Sequence, residues 1–384
     1  MNVVHVVESL AVGGLERVVV SLASWQRARG DESAIVCLFH EGALAEEARL
    51  RDIDVIAIGK TPGPDLQALA ALRAALKSRS AEVLHTHNAV AHYYAVAAAA
   101  GLGIGRVINT RHGMGPARGD RRLDLLYRLA MLGTDKAAAV CRPGRDRFVQ
   151  GGVIPSGKSV VVANGVDVAG IAVRSDRARA ELLAQLGRDP ASIVLGVVGR
   201  LSPVKDHETL LRAIRLLLAR GRPVQLAVVG DGETRPALEA SARALGVEAS
   251  VHFLGMRRDV AQLLASFDVF VLSSTSEGYS VALVEAAAAA LPIVATRVGG
   301  NADIVIDGTT GLLVPSRDEE ALAGALVQLV DDASLRRKMG DAGRAWALRY
   351  GSVDAMGEAY RALYGGMPVD ARPVDRSDVQ GTRA

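Results

Sequence analysis

The chain has 384 residues, which at about 150 per domain predicts two domains, and its net charge is +3 with basic and acidic residues interleaved. With 49% hydrophobic and 23% charged residues it can bury a sizeable core, which excludes disorder. With 4% aromatics and no basic stripe, nucleic acid is excluded as a partner.

In the N-terminal half, VVHVV (3–7) reads as a buried strand, Gly13-Gly14 as a turn, and 15–29 as a helix. AIVCLF (34–39) and DVIAI (54–58) follow as strands, then a helix over 65–78 with Asp65 as its N-cap. EVLHTH (82–87) is a strand, 89–100 an Ala-rich helix, RVINTRH (106–112) a strand, 121–132 a helix and KAAAV (136–140) a strand. SVVVANGV (159–166) closes the half, and the Arg- and Asp-rich stretch 167–190 reads as a linker.

The C-terminal half repeats the rhythm. Strands are expected at 193–199, 224–230, 250–255, 268–272, 293–296 and 311–314. Helices are expected at 206–219, 234–245, 259–265, 281–290, 318–330, 332–343 and 352–364. Continuous apolar strands alternating with helices predict parallel α/β units, here two doubly wound domains at 1–170 and 190–350. The helix at 352–365 is free to pack back on the first, and the Pro-, Asp- and Arg-rich tail 367–384 reads as disordered.

Cys37 and Cys141 lie in apolar runs and read as buried thiols, which suits a reducing cytoplasm. The N-terminus lacks the charged region of a signal peptide, and VALVEAAAAALPIVA is interrupted by Glu285 and Pro292, so no spanning helix is expected.

Ligands of open parallel sheets sit at the carboxyl ends of the strands. Gly13 and Gly14 follow the first strand and open a helix, which suits a close backbone approach or an anion. GRLSPVKDHETL places Arg200 and Lys205 in one strand-to-helix loop, fit for a diphosphate; a solvated basic loop is the plain alternative. GDGETRP (230–236) is a tight loop of weaker signal. In STSEGYSVALVEAAAAALP, Glu277 lies in a loop and Glu285 inside the next helix. Gly278, Tyr279, Ser280 and Val281 form that helix's N-terminus, whose N–H groups suit phosphate oxygens. The carboxylates of Glu277 and Glu285 suit sugar and ribose hydroxyls.

Asn109, Arg111, His112 and Gly113 follow another strand, after HTHN (85–88). His112 is a candidate for hydrogen bonding a substrate, with a structural histidine as the alternative. A metal site at His85, His87 and His112 is disfavoured, because no Cys or acid stands at ligand spacing. Asp52-Ile53-Asp54 precedes its strand, on the wrong sheet edge for metal-assisted sugar transfer. GLGIG (101–105) follows a helix and fails as a dinucleotide turn.

In order and spacing, GGLE (13–16), RHG (111–113), NGVD (164–167), GRLSPVKD (199–206), VGDG (229–232), EGYSVALVE (277–285), GGN (299–301) and DGTTGLLVP (307–315) resemble the retaining glycosyltransferases of family 4. The resemblance covers about 1–365. The opening HVVESLAVGGLERVVVSLA also resembles a branch associated with exopolysaccharide and exosortase systems.

The resemblance implies the GT-B fold, two Rossmann-like domains facing a cleft. A nucleotide-sugar donor, UDP-linked by family frequency, would lie on the C-terminal domain, with no further cofactor and no metal. Arg200 and Lys205 would clamp the diphosphate, Glu277 the sugar and Glu285 the ribose, with the base near Phe253 and Leu254. Gly13, Gly14 and His112 would line the side of a glycan or lipid-linked acceptor. The alternatives are a sugar-nucleotide 2-epimerase, a non-catalytic nucleotide-sugar binder and, more distantly, a dehydrogenase. RGDRRLDLLYRLAML (118–132), with Arg118, Arg121, Arg122 and Arg128, is a candidate for peripheral contact with the membrane from the cytoplasm, with an ordinary packed helix as the alternative.

Overall fold

The computed structural model describes residues 1–11, 13–114 and 121–369, and the chain divides into two compact units. One takes Met1–Val166 and the helix that begins at Val353; the other runs Asp167–Ser352.

The first unit holds strands β1 (Asn2–Ser9), β2 (Glu32–His40), β3 (Asp54–Ala57), β4 (Val83–His87), β5 (Arg106–Arg111), β6 (Lys136–Ala139) and β7 (Ser159–Val161). They form one parallel sheet in the order β3-β2-β1-β4-β5-β6-β7. Its helices are α1 (Gly14–Arg27), α2 (Ala45–Arg49), α3 (Leu66–Ser78), α4 (Ala89–Ala99), α5 (Arg121–Ala130) and α6 (Arg142–Gln150).

The second unit follows the same scheme. Helix α7 (Asp176–Gln185) leads into β8 (Ile193–Val198), α8 (His207–Ala219), β9 (Val224–Val229), α9 (Arg235–Ala244), β10 (Val251–Gly255) and α10 (Val260–Leu263). Then come β11 (Val269–Leu272), α11 (Val281–Ala288), β12 (Ile293–Thr296), α12 (Asn301–Ile304), β13 (Gly311–Val314), α13 (Glu319–Asp331) and α14 (Ala333–Tyr350). The parallel sheet order is β10-β9-β8-β11-β12-β13. The last helix, α15 (Val353–Tyr364), belongs to the first unit.

Alternation along the strands splits the first core into two layers. Val7, Ile35 and Cys37 meet Val19, Val20 and Ala23 of α1 on one face. Val4, Val6, Val36 and Leu84 meet Leu72 and Leu76 of α3 and Ala91 and Ala95 of α4 on the other. In the second unit Leu195, Val197, Leu226 and Val271 pack under Leu210, Ile214 and Leu217 of α8 and Leu322, Leu326 and Leu329 of α13. Cys37 and Cys141 are both buried. Among the described residues no helix is long and apolar enough to cross a membrane.

Several boundaries differ from the sequence reading. The stretch 167–190, expected as a linker, contains α7, started by Ser175, whose side chain accepts from the Ala178 N–H. The second unit therefore begins earlier than the expected residue 190. The run 159–166 gives only a three-residue edge strand, because its pairing with β6 covers Ser159 to Val161 and goes no further. Helices α2 and α6 were not expected; α6 carries Pro143 in its first turn, which tolerates proline because its missing N–H would have no partner there. Asp65 caps α3 as expected, accepting from Ala68 N–H. The tail beyond residue 369 and residues 118–120 of the basic stretch lie outside the described residues.

Helix α15 closes over α1 without room to spare. A Cβ at Gly357 would stand 2.3 Å from the Trp25 ring, whose Nε1 donates to Asp354 Oδ1 at 2.8 Å. Gly357→Ala is therefore expected to destabilise the chain by about 1–3 kcal/mol. Gly324→Ala, in α13 with open space around the new methyl, should be neutral or stabilising. Chemical denaturation of both variants checks this, and equal midpoints would contradict the packing.

Candidate functional site

In the second unit, four loops converge at the carboxyl ends of β8, β9, β11 and β12. The loop after β8 passes through a single 3₁₀ turn, Pro203–Lys205, then Asp206 in the left-handed region at φ 48° before α8. The loop after β11 carries Ser273 to Ser280. Backbone and side chain tie the two together: Thr275 N–H donates to Val204 O at 2.8 Å, and Ser273 Oγ donates to Lys205 O at 3.0 Å.

Across that tie, Lys205 Nζ donates to Glu277 Oε1 at 2.6 Å, and Ser274 Oγ donates to the same oxygen at 2.6 Å. The side chains are 23% and 10% exposed, so the pair is shielded yet reachable. Two neighbouring loops pack against the loops that carry it. Gly299, at φ 48°, has no room for a side chain: a Cβ would lie 1.6 Å from Glu277 O. Gly230, at φ 134°, would place a Cβ 1.9 Å from Gly199 O.

Gly278 leads from Glu277 toward α11, and its carbonyl accepts from Gly300 N–H at 3.1 Å. Tyr279 and Ser280 are buried, Val281 opens α11, and no side chain caps the helix at Ser280. Glu285 lies one turn further on and is half-buried. Arg200 is less shielded: at 74% side-chain exposure it points to Glu233, Nη2 to Oε2 3.0 Å. Phe253 and Leu254 lie on the edge strand β10, and Phe253 packs on the unit's core. Lys205 and Glu277 are thus brought into contact, while Arg200 pairs elsewhere.

Gly13, Gly14 and His112 belong to the first unit. Gly13 caps α1 in extended backbone and Gly14 is its first residue. His112 follows β5 directly; its N–H donates to Asn88 Oδ1 at 3.3 Å and its Nε2 lies 3.0 Å from His87 Nδ1. Beside it Arg111 lies over the rings of Tyr127 and Phe148, 5.1 and 4.6 Å from their centroids. Burial pushes the Arg111 guanidinium down, against the pull of Tyr127, Asp124 and Glu8. Two carboxylates at this edge had no role in the sequence reading. Glu8 near the end of β1 and Glu16 in α1 are both pushed up, chiefly by burial. The only sequence signal for Glu8 is its place at a strand's carboxyl end.

His5, His85, His87, His92 and His112 are held neutral by burial, His5 near 4 and His92 and His112 near 3. An unfolded histidine takes up its proton near 6.5. Between that value and the folded one the unfolded state binds more protons, so stability falls as pH drops. Each such histidine is expected to cost about 1.4 kcal/mol per pH unit below 6.5, down to its folded value. Urea unfolding from pH 7 to pH 5 checks this; a flat stability profile would contradict the neutral cluster.

Two sequence profiles match the chain, one in each unit. "Glycosyltransferase Family 4" matches residues 12–169 and "Glycosyl transferases group 1" matches 178–346. A D-inositol 3-phosphate glycosyltransferase of Corynebacterium jeikeium is 36% identical over 217 residues, 54% of this chain and 52% of that protein. The lipopolysaccharide core biosynthesis glycosyltransferase LpsE of Rhizobium meliloti is 35% identical over 199 residues, 52% of this chain and 56% of that protein. The chain thus spans about half the length of these curated relatives. Among solved structures, Anabaena Alr3699/HepE in complex with UDP superposes with a TM-score of 0.84 at 22% identity, covering 96% of this chain and 100% of that one. That likeness is one of fold, and the fold is GT-B.

Proposed function

As a member of the family 4, group 1 glycosyltransferases, this chain, we propose, moves a sugar from a nucleotide-sugar donor to a glycan or lipid-linked acceptor, retaining the anomeric configuration. The observation that carries the proposal is the Lys205–Glu277 contact beside the N-terminus of α11, where no side chain caps the helix. Lys205, assisted by Arg200, neutralises the diphosphate, and the α11 N-terminus from Gly278 to Val281 donates to its oxygens. Glu277 orients Lys205 and accepts from hydroxyls of the donor sugar. Glu285 takes the ribose, and the base lies near Phe253 and Leu254. UDP is the favoured carrier, supported by the UDP held in the Anabaena structure of the same fold.

The sugar–phosphate C–O bond breaks as the acceptor oxygen bonds to the same face of the anomeric carbon. The acceptor's proton passes to the departing phosphate oxygen. Positive charge from Lys205 and Arg200 lowers the cost of that departure, and no metal is required. His112, Gly13 and Gly14 serve the sugar and acceptor side. The products belong to exopolysaccharide or other cell-surface glycan, a role supported by LpsE, named for lipopolysaccharide core synthesis.

Ligand at about 100 times its Kd should stabilise the chain by about 2.7 kcal/mol. Thermal shifts against a panel of nucleoside diphosphates and nucleotide sugars are expected to single out one base, and Lys205→Ala is expected to abolish that shift. A wild type that responds to none of the panel would contradict the proposal. Conversion of the donor sugar to its epimer without acceptor would favour the 2-epimerase reading.

Peripheral contact with the cytoplasmic face of the membrane is a second part of the reading. Helix α5 exposes Leu125, Leu126 and Leu129 at 57%, 43% and 54%, beside exposed Arg122 and Arg128. Exposed leucines flanked by arginines suit an anionic lipid surface. Co-sedimentation with anionic vesicles is expected to fall in Leu125→Ser/Leu129→Ser and to be absent with neutral vesicles. Unchanged binding of the double variant would remove α5 as the contact.

A further inference from the structure

The register of β1 against β4 sets His5 directly beside His85, and alternation puts His87 on the same face. Helices α1 and α15, with strands β2 and β5, supply the other polar partners. A continuous row results. Ser33 Oγ donates to Gln26 Oε1 at 2.9 Å, and His5 Nε2 lies 2.8 Å from the same oxygen. His5 Nδ1 lies 3.1 Å from His87 Nε2, and His87 Nδ1 lies 3.0 Å from His112 Nε2. A branch from Gln26 runs through Tyr364 OH (3.2 Å) to His85 Nδ1 (2.8 Å), then from His85 Nε2 to Thr110 Oγ1 (2.8 Å) and Tyr360 OH (2.7 Å).

A neutral imidazole has one donor and one acceptor nitrogen, so adjacent rings cannot choose independently. If Gln26 Oε1 faces His5, then His5 Nε2 carries the proton and its Nδ1 must accept. His87 then donates from Nε2, and so does His112, whose Nδ1 is left as an acceptor. If the amide is reversed, every proton moves to Nδ1. Ring by ring, the choice made at Gln26 reaches His112. At that end, His112 Nδ1 is buried, and the side chain of Asn164 lies against the ring.

We propose that Gln26, His5 and His87 are positioning residues that dictate which ring nitrogen of His112 carries its proton, so that His112 serves the sugar side in one defined tautomer. Burial keeps the row neutral, which the lock requires, since a charged ring would donate from both nitrogens. The same rings include a histidine trio, His5, His85 and His87, whose nitrogens are close enough to share a metal ion. In the structure those nitrogens hydrogen bond to one another or to Gln26, Tyr364, Thr110 and His112. That pattern favours the relay. The lock itself stands on hydrogen-bond geometry; its use toward a sugar rests on the glycosyltransferase reading.

The full chain with ¹⁵N-labelled histidine rings tests it by long-range ¹H–¹⁵N correlation, which separates protonated from bare nitrogens. His5, His87 and His112 are expected to show one shared neutral tautomer. His5→Leu, one ring removed from His112, is expected to move the His112 nitrogens toward tautomer-averaged positions. The same variant should lower kcat about tenfold with little change in donor KM. The wild-type spectrum decides the lock even if that variant fails to fold. Opposite tautomers at His112 and His87, or a folded His5→Leu with an unchanged His112 spectrum, would overturn it. So would a zinc titration that shifts His5, His85 and His87 together at one equivalent. A shared tautomer in a chain that transfers no sugar would support the lock and contradict the glycosyltransferase reading.

Discussion

The second unit's site depends on one ion pair, Lys205 to Glu277, 2.6 Å apart. It joins the loops after β8 and β11, the neighbouring strands where the sheet order reverses. Reversal opens a crevice, because the connections leave in opposite directions. Taking two charges partly out of water costs desolvation, so the pair is a poor device for stability alone. It is a good device for position. Three hydrogen bonds tie the two loops together, from Ser273 Oγ to Lys205 O and from Thr275 N–H and Oγ1 to Val204 O, and a glycine at 299 lets a third loop close against Glu277. In the proposed reaction, a cation fixed beside a helix N-terminus would meet the diphosphate with little reorganisation left for the moment of reaction.

The two units use the same sheet architecture for different electrostatics. The second presents charge at its carboxyl edge: Lys205, Glu277, Arg200 and Glu233. The first buries neutral imidazoles, and at the same edge Glu8, which feels the charge of Arg111, and Glu16 are pushed up by burial. One edge suits a charged leaving group and the other suits hydroxyls. This division is what the proposed transfer of a sugar out of a diphosphate and onto an alcohol would need.

Much of this was legible in the sequence. Parallel strands announce themselves as unbroken apolar runs, and IVAT (293–296) and GLLV (311–314) fall where expected. Lys205, Glu277 and Gly278 were legible because each follows a strand, and ligand sites of such sheets lie there. The pairing of Lys205 with Glu277 was not, since it depends on how two loops fold 72 residues apart. Helix α7 was hidden because its Arg- and Asp-rich surface looks like a linker. The histidine row was hidden more deeply. His5 sits inside an apolar strand, Gln26 at the end of a helix, and Tyr360 and Tyr364 near the C-terminus. Only strand register and the return of α15 bring them together.

The most direct test of the account is a crystal of the full chain soaked with UDP. The account predicts the diphosphate at the carboxyl edge of the second sheet, within hydrogen-bond reach of Lys205 Nζ and the first N–H groups of α11, with Glu277 still in contact with Lys205. Nucleotide bound at the first sheet, or at the second with Lys205 and α11 both untouched, would contradict it.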